Sequence, residues 1–414
     1  MEQIHDRVAG LDVHRDSVVA CVRATGPRGG AVTEKERFGT TTAQLSRLLG
    51  WLTDRQVSLV ALEATGVYWK PVYYALEHRL EVWLCNAQHV KNVPGRKTDL
   101  ADAEWLANVV AHGMIRPSFV PPPPIRELRD LTRYRKSQVD TRVAEVQRLE
   151  KVLQDAGIKL TSVASKVLTQ SGRAMVEALI AGQRDPAELA ELAQGKLRPK
   201  IPALREALTG HFGPHHAAAA RRILDHVDFL DASIVALTQQ IDARTEAHRS
   251  VYELLLPVPG FNRLLVDTII AETGADMRRF PSPGQLARWA GVCPGNHESA
   301  GKRRRVGVTP GNRWLRRALI EAARAAARTQ GSYFGAQYRQ IAKRRGPNKA
   351  AVAVAHSLTD LLWHLLSTGE CYQDLGGDYF QRRRDPARET TRLVRHLEEL
   401  GFRVTLTPLA TPAA

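Results

Sequence analysis

The sequence predicts an α/β domain followed by a mostly helical remainder, an α/β plus α chain. Three observations carry this reading. From Arg7 to about Ile115, short β-rich runs alternate with amphipathic helical runs. A run of four prolines, Pro121 to Pro124, cannot continue a helix and marks a boundary. Beyond it, apolar residues recur at steps of three and four, the spacing of one helix face.

Taken in order, VAGLDVH and SVVACVRA read as the two strands of a hairpin and EKERFGTT as a third strand. TTAQLSRLLGWLTDR reads as a helix, VSLVALEAT as a buried fourth strand and GVYWKPVYYALEHR as a second helix. EVWLCNAQHV then reads as a fifth strand and KTDLADAEWLANVVAHGMI as a third helix. Three antiparallel strands followed by helix, strand, helix, strand, helix is the order of an RNase H-like α/β fold.

After the prolines, Val139, Val143, Val146, Leu149 and Leu153 form one helical seam, and Val227, Leu230, Ile234, Leu237 and Ile241 form another. Two long helices are expected, pairing with each other or across subunits as a coiled coil. Ile158 to Pro214, between them, reads as less regular helix and carries no assigned chemistry. From about Leu254, LLPVPGFNRLLVDTIIAETG sets a tight Pro-Gly turn between short helices, the pattern of a helix-hairpin-helix. Such a turn can present N–H groups to a phosphate, or can serve packing alone. From Gly376 to Ala414 the chain reads as an amphipathic helix and a loose tail. The expected division is 1–120, 125–250, 251–375 and 376–414.

The chain of 414 residues carries a formal charge of +16 and a pI near 10.0, which calls for a polyanionic partner. An acidic membrane surface is the rival polyanion. No apolar run reaches the roughly 18 residues of a spanning helix and no signal-peptide pattern opens the chain. The expectation is therefore a cytoplasmic, nucleic-acid-binding protein without a membrane partner. Cys21, Cys85, Cys293 and Cys371 lack the paired spacing of a zinc site and read as reduced thiols.

Four acids stand out. Asp12 lies in the first strand between Leu11 and Val13, where an ionised group is costly without compensation. Glu63 ends the apolar run LVALE, at the C-terminal edge of the fourth strand where parallel sheets place ligands. Asp99 and Asp102 are three residues apart at a helix start, on one face, with Thr98 as a candidate N-cap. Each alone has a plain structural reading, such as a helix N-terminal charge. Four acids meeting at one point would repel unless a cation joined them, which points to one or two Mg²⁺ ions and phosphodiester chemistry.

Between Asn296 and Ala350 stand fourteen basic residues against two acidic ones, about three-quarters of the excess charge. Lys302, Arg303, Arg304, Arg305, Arg313, Arg316, Arg317, Lys343, Arg344 and Arg345 are the candidate nucleic-acid contacts. Trp314, Tyr333, Phe334 and Tyr338 interleave them as stacking surfaces or as core. The polar loop PGNHESAGKRRRVG sets Ser299 beside Lys302 and the arginines. Nearby cations and a metal would stabilise its alkoxide, although a loop serine is usually a turn residue.

LDVHRDSV around Asp12, LEATGVYW around Glu63, GRKTDLADAEWLA, LLPVPGF and WAGVCPGNHESAGKRRR together resemble the DEDD-type insertion-sequence transposases guided by a bridge RNA, the IS-one-ten and IS-eleven-eleven group. The resemblance implies a RuvC-like N-terminal domain whose Asp12, Glu63, Asp99 and Asp102 bind Mg²⁺, and a C-terminal domain whose Ser299 attacks the phosphodiester to form a 5′-phosphoserine link. It also implies donor and target double-stranded DNA and a structured guide RNA as partners. A homo-oligomer, dimer or tetramer, would form a composite site from two subunits. The chain is longer than compact members, mainly between the two seam helices, and carries SAGK where some have serine followed directly by glycine. Ser282 and Ser332 lie in less suitable contexts. Two rivals remain: a RuvC-like nuclease in which the acids activate water and Ser299 is dispensable, and a non-catalytic nucleic-acid-binding protein.

Overall fold

The structure is a computed structural model describing residues 4–26, 30–64, 66–86, 90, 102–295, 298–299, 302–303, 307–383 and 385–407, with backbone alone at 298, 299, 302, 303, 386, 388 and 389. It divides into two compact units, Met1–Val120 and Pro121–Ala414.

The first unit holds a five-stranded sheet of β1 (Arg7–Val13), β2 (Ser17–Thr25), β3 (Ala31–Gly39), β4 (Leu59–Glu63) and β5 (Glu81–Cys85). The order is β3-β2-β1-β4-β5, with β1, β2 and β3 antiparallel and β4 and β5 parallel to β1. The fifth strand stops at Cys85 rather than running on to Val90, because the chain turns helical by Val90. Helices α1 (Thr42–Asp54) and α2 (Trp69–Leu76) connect β3 to β4 and β4 to β5, and α3 (Asp102–Ala111) follows β5.

Side-chain alternation sends each strand into two cores. Leu11, Val13, Phe38 and Leu62 pack with Leu48, Leu52 and Leu76 of α1 and α2. Val8, Leu59 and Ala61 pack on the other face with Leu106 and Val110 of α3. Each buried leucine contributes about 1.5–3 kcal/mol. Gly10 faces α3: a Cβ there would lie 2.1 Å from Ala103 O and 2.5 Å from Ala107 N, so glycine alone admits the helix this close.

The second unit is helical. Its first helix, α4 (Pro123–Asp155), begins on the last two prolines of the run, where the fixed φ and missing N–H suit a first turn; only Pro121 and Pro122 precede it. Next come α5 (Leu160–Val163), α6 (Gln170–Ile180), α7 (Pro186–Glu191), α8 (Ile201–Ala207) and α9 (Pro214–Thr245). The two long helices pair antiparallel within the chain, as ion pairs show: Asp155 with His216, Asp231 with Arg142 and Glu127 with Arg244. Of the seam residues, Leu149, Leu153, Val227, Leu230, Leu237 and Ile241 are buried, while Val139, Val146 and Ile234 are half-buried. Val143 is 48 % exposed instead, while Arg135 and Glu145 of the same helix are buried in ion pairs. The shorter helices α5 to α8 close a lobe over Leu160, Met175, Leu189 and Leu204.

Helices α10 (Arg249–Leu255), α11 (Arg263–Thr273), α12 (Pro283–Ala290), α13 (Arg313–Ala326), α14 (Tyr333–Arg345) and α15 (Pro347–Thr368) follow, then α16 (Tyr379–Arg382) and α17 (Pro386–Glu399). The expected C-terminal helix is thus two helices. Gly260, in the turn between α10 and α11, has φ +87°, and a Cβ would meet Ala322 O at 2.3 Å. The Pro-Gly turn therefore packs on α13, which accounts for its glycine without a ligand.

Candidate active site

The sheet decides where the acids stand. Parallel pairing of β1 with β4 runs from Val8 opposite Leu59 to Leu11 opposite Leu62. One residue further along each strand come Asp12 and Glu63. Both alternate away from the α1/α2 core: Asp12 shares the face of Val8 and Gly10, and Glu63 that of Leu59 and Ala61. This is the face α3 covers, and α3 begins at Asp102, one residue before the Ala103 carbonyl that lies against Gly10. Asp12 and Glu63 therefore share one face and one sheet edge, and Asp102 opens the helix that covers that face. Asp99, the fourth, and Thr98 lie outside the described residues.

Asp12 and Glu63 are half-buried and Asp102 is exposed. Asp12 Oδ2 lies 3.0 Å from Nε2 of His14, an exposed imidazole that can hold one carboxylate oxygen in place. The Glu63 charge and, more strongly, burial push the Cys85 thiol up to about 12. Burial and the Glu104 charge push Cys21 up to about 11. Neither buried thiol offers a thiolate near neutral pH, and the donors facing this edge are hard carboxylate oxygens, the set that suits a hard divalent cation.

Among the described residues, the trio of potential metal donors within 4.8 Å of one another is Asp155, His215 and His216. Asp12, Glu63 and Asp102 do not close into such a trio. Sequence reasoning missed the histidine group, although HFGPHH was its signal. His216 Nδ1 accepts from Gly213 N at 3.0 Å, so Nε2 carries the proton that bonds Asp155 Oδ2 at 3.0 Å. With both ring nitrogens spent, His216 caps α9 and ties it to the end of α4.

Ser299 sits at the tip of an antiparallel hairpin. Its base is pinned by Thr309 N to Cys293 O at 3.0 Å, a Pro294–Val308 bridge and Gly295 N to Gly307 O at 2.8 Å. At the tip, β6 (Glu298–Ser299) pairs antiparallel with β7 (Lys302–Arg303), so Ser299 stands opposite Lys302. Below the base, Gly291 and Gly311 approach so closely that a Cβ on Gly311 would meet Gly291 N at 2.4 Å. Asn312 closes the hairpin with N to Trp289 O at 2.8 Å, caps α13 through Oδ1 and donates Nδ2 to Glu272 at 2.6 Å.

Glu272 is 1 % exposed and also accepts from Arg133 Nε and Nη2 at 2.7 and 2.8 Å. Asp267, fully buried, accepts from Arg135 Nη2 at 2.7 Å and from the Tyr252 hydroxyl, whose proton burial and this carboxylate hold on more tightly. A buried charge of this kind persists only when paired. Sequence reasoning missed this support because partners 132 and 139 residues apart leave no local pattern.

The alternative serines cap helices. Ser282 Oγ accepts from Gln285 N, and Ser332, 3 % exposed, accepts from Gly335 N at 3.1 Å and donates to Thr329 O at 3.0 Å.

Of the basic candidates, Lys343, Arg344 and Arg345 are exposed in the last turn of α14, where cations also suit the helix dipole. Arg317 is paired with Asp140 and Glu321. Arg313 lies over Trp314 and Arg316 is half-buried. The side chains of Lys302 and Arg303, and all of Arg304 and Arg305, lie outside the described residues. Phe334 is 3 % exposed and belongs to the core, which removes it as a stacking surface; Trp314, Tyr333 and Tyr338 are half-buried.

Comparison with known proteins adds to this geometry. A DEDD transposase model of the IS110 group matches residues 9–158, and a model of the IS116/IS110/IS902 transposase family matches residues 252–339. The chain belongs to the IS110 family of transposases. The transposase is 23 % identical over 376 residues to the transposase for insertion sequence element IS1111A of Coxiella burnetii, covering 89 % of this chain and 91 % of that one. It is 28 % identical over 322 residues to a "probable family 20 transposase" of Pseudomonas aeruginosa, covering 76 % and 86 %. It is thus an enzyme that cuts and rejoins DNA. The stretch between the matched regions, 159–251, holds the α5–α8 lobe and α9. Among the described residues no helix is long and apolar enough to cross a membrane.

Proposed function

We propose that this transposase excises and inserts its element through a Mg²⁺ site of Asp12, Glu63, Asp99 and Asp102 in an RNase H-like, RuvC-like first unit and a nucleophilic Ser299 in the second. A structured guide RNA would select the donor and target DNA, in a dimeric or tetrameric assembly. The observation that carries the reading is the β1–β4 register, which brings Asp12 and Glu63 side by side at the edge where α3 starts.

Asp12, Glu63 and Asp102 would hold the metal, with His14 fixing one Asp12 oxygen. Bound there, Mg²⁺ would supply charge neutralisation at the phosphate. Ser299, opposite Lys302, attacks phosphorus; a P–O bond forms at Oγ, the bond to the 3′ oxygen breaks, and the departing 3′ oxygen takes up a proton. Attack by another strand's 3′ hydroxyl on the phosphoserine then restores Ser299 and seals the new junction. That Ser332 is buried with its hydroxyl both donating and accepting, and that Ser282 caps a helix, support Ser299 as the serine that acts.

The test is a denaturing gel of protein, guide RNA, Mg²⁺ and end-labelled donor DNA, comparing wild type with Ser299→Ala and Asp12→Ala. Label should travel with wild-type protein and vanish in both variants. Free nicked DNA from Ser299→Ala would overturn the covalent mechanism in favour of hydrolysis.

A further inference from the structure

The second unit holds a cavity of about 340 Å³ where α4, α11 and α13 meet. Its wall has two characters. Val139, Leu264, Leu265, Ala318, Ala325 and the half-buried Trp314 make an apolar part. Arg133, Arg135, Lys136, Arg317 and Arg328 make a basic part, tempered by Glu272 and Glu321.

The positive charge there is not all used. With Arg129, six cations face four carboxylates, Asp140, Asp267, Glu272 and Glu321. Arg328 is exposed and has no ion pair among the described residues. Arg135 is 4 % exposed; its Nη2 bonds Asp267, but its Nη1 is buried and has no hydrogen-bond partner among the described residues. Leaving such a donor unmade costs about 1–3 kcal/mol, which a ligand acceptor would recover.

A flat apolar group carrying acceptors and a negative charge fits both characters of this wall. We propose that the cavity receives one unpaired nucleotide of a nucleic-acid strand. Its base rests against Val139, Leu264 and Trp314 with a carbonyl oxygen toward Arg135, and its phosphate lies toward Arg328 and Lys136. A single small pocket of this kind takes a base out of a strand rather than a duplex, because a paired base presents no free face. The proposal rests on the nucleic-acid reading above and adds an acceptor for Arg135 Nη1 and a partner for Arg328, which the network behind the hairpin leaves without one among the described residues.

The experiment is a fluorescence anisotropy titration of the full chain, at one fixed salt concentration, with three labelled twelve-residue strands of equal charge: oligo(dT), oligo(rU) and an abasic strand. Base contact is worth about 1–3 kcal/mol. Oligo(dT) or oligo(rU) should therefore bind about 5- to 150-fold more tightly than the abasic strand, and the tighter of the two identifies the source as DNA or RNA. Ala325→Trp, which fills the cavity, should reduce base-bearing strands to abasic affinity and leave abasic binding unchanged. Leu264→Asp, at a position already 53 % exposed, repeats the test without a buried change. Equal binding of all three strands, or equal weakening of all three by both variants, overturns the cavity assignment alone. No binding of any strand overturns the nucleic-acid reading with it.

Discussion

The acid edge of the first unit and the serine hairpin of the second are built by opposite means. Asp12 and Glu63 inherit their positions from strands buried on both faces, where alternation leaves no choice of side. Ser299 stands in a two-stranded hairpin, and its placement depends on what fixes the base: the Gly291–Gly311 contact, Asn312 and, behind Asn312, the buried Glu272 with its arginines. A site on sheet ends is held by apolar packing, whereas a site on a hairpin is held by a polar network. The first should lose chemistry without losing stability, and the second should lose stability and chemistry together.

Asp12→Asn should show the first case most sharply. Strand transfer should fall on the order of a thousandfold, the several kcal/mol a bound metal supplies. Urea denaturation should change by about 1 kcal/mol or less, because the half-exposed Asp12–His14 contact is weak. Comparable losses in both measurements would erase the distinction.

For the hairpin, Glu272→Ala strips the partner from Arg133, Arg129 and Asn312 at once. Denaturation should show about 3 kcal/mol lost from the second unit, near the lower end for a broken buried pair because Arg133 is partly exposed and can regain water. Retained stability with retained covalent complex would mean the hairpin stands without this network.

A smaller effect falls on the boundary between core and chemistry. Gly10→Ala drives a methyl into the Ala103 carbonyl, so α3 must shift, with about 2 kcal/mol lost to overpacking. Divalent metal affinity, read by calorimetry, should fall with it, since Asp102 moves with the helix. Unchanged affinity would show that Asp102 is not positioned by this packing.

The least perturbing test uses the thiols. Cys21 and Cys85 are buried with pKa pushed to about 11 and about 12, so at pH 8 roughly a thousandth or less of each is thiolate. Alkylation at pH 8 should label exposed Cys371 first and spare these two until the first unit unfolds. Early labelling of Cys21 or Cys85 would contradict a tight sheet core.

Much of this could be read from residue patterns. The β-rich runs and the amphipathic run after them placed Asp12 in β1, Glu63 at the end of β4 and Asp102 at a helix start, because a strand or helix announces its buried face within a few residues. The proline run fell where the two units divide, although Pro123 and Pro124 turned out to open α4. The seam was less readable: Val143 matched the spacing yet is exposed, while Arg135 and Glu145 are buried through partners elsewhere in the chain.

By itself the sequence determined the elements, the acids at their ends and the excess positive charge, all of which follow from local periodicity and composition. Only the tertiary structure decided which sheet face α3 covers, that the Pro-Gly turn packs on α13 and that Asp267 and Glu272 meet the arginines of α4. Those outcomes depend on contacts between residues far apart in the chain, where burial makes each charge demand a partner that no local pattern names.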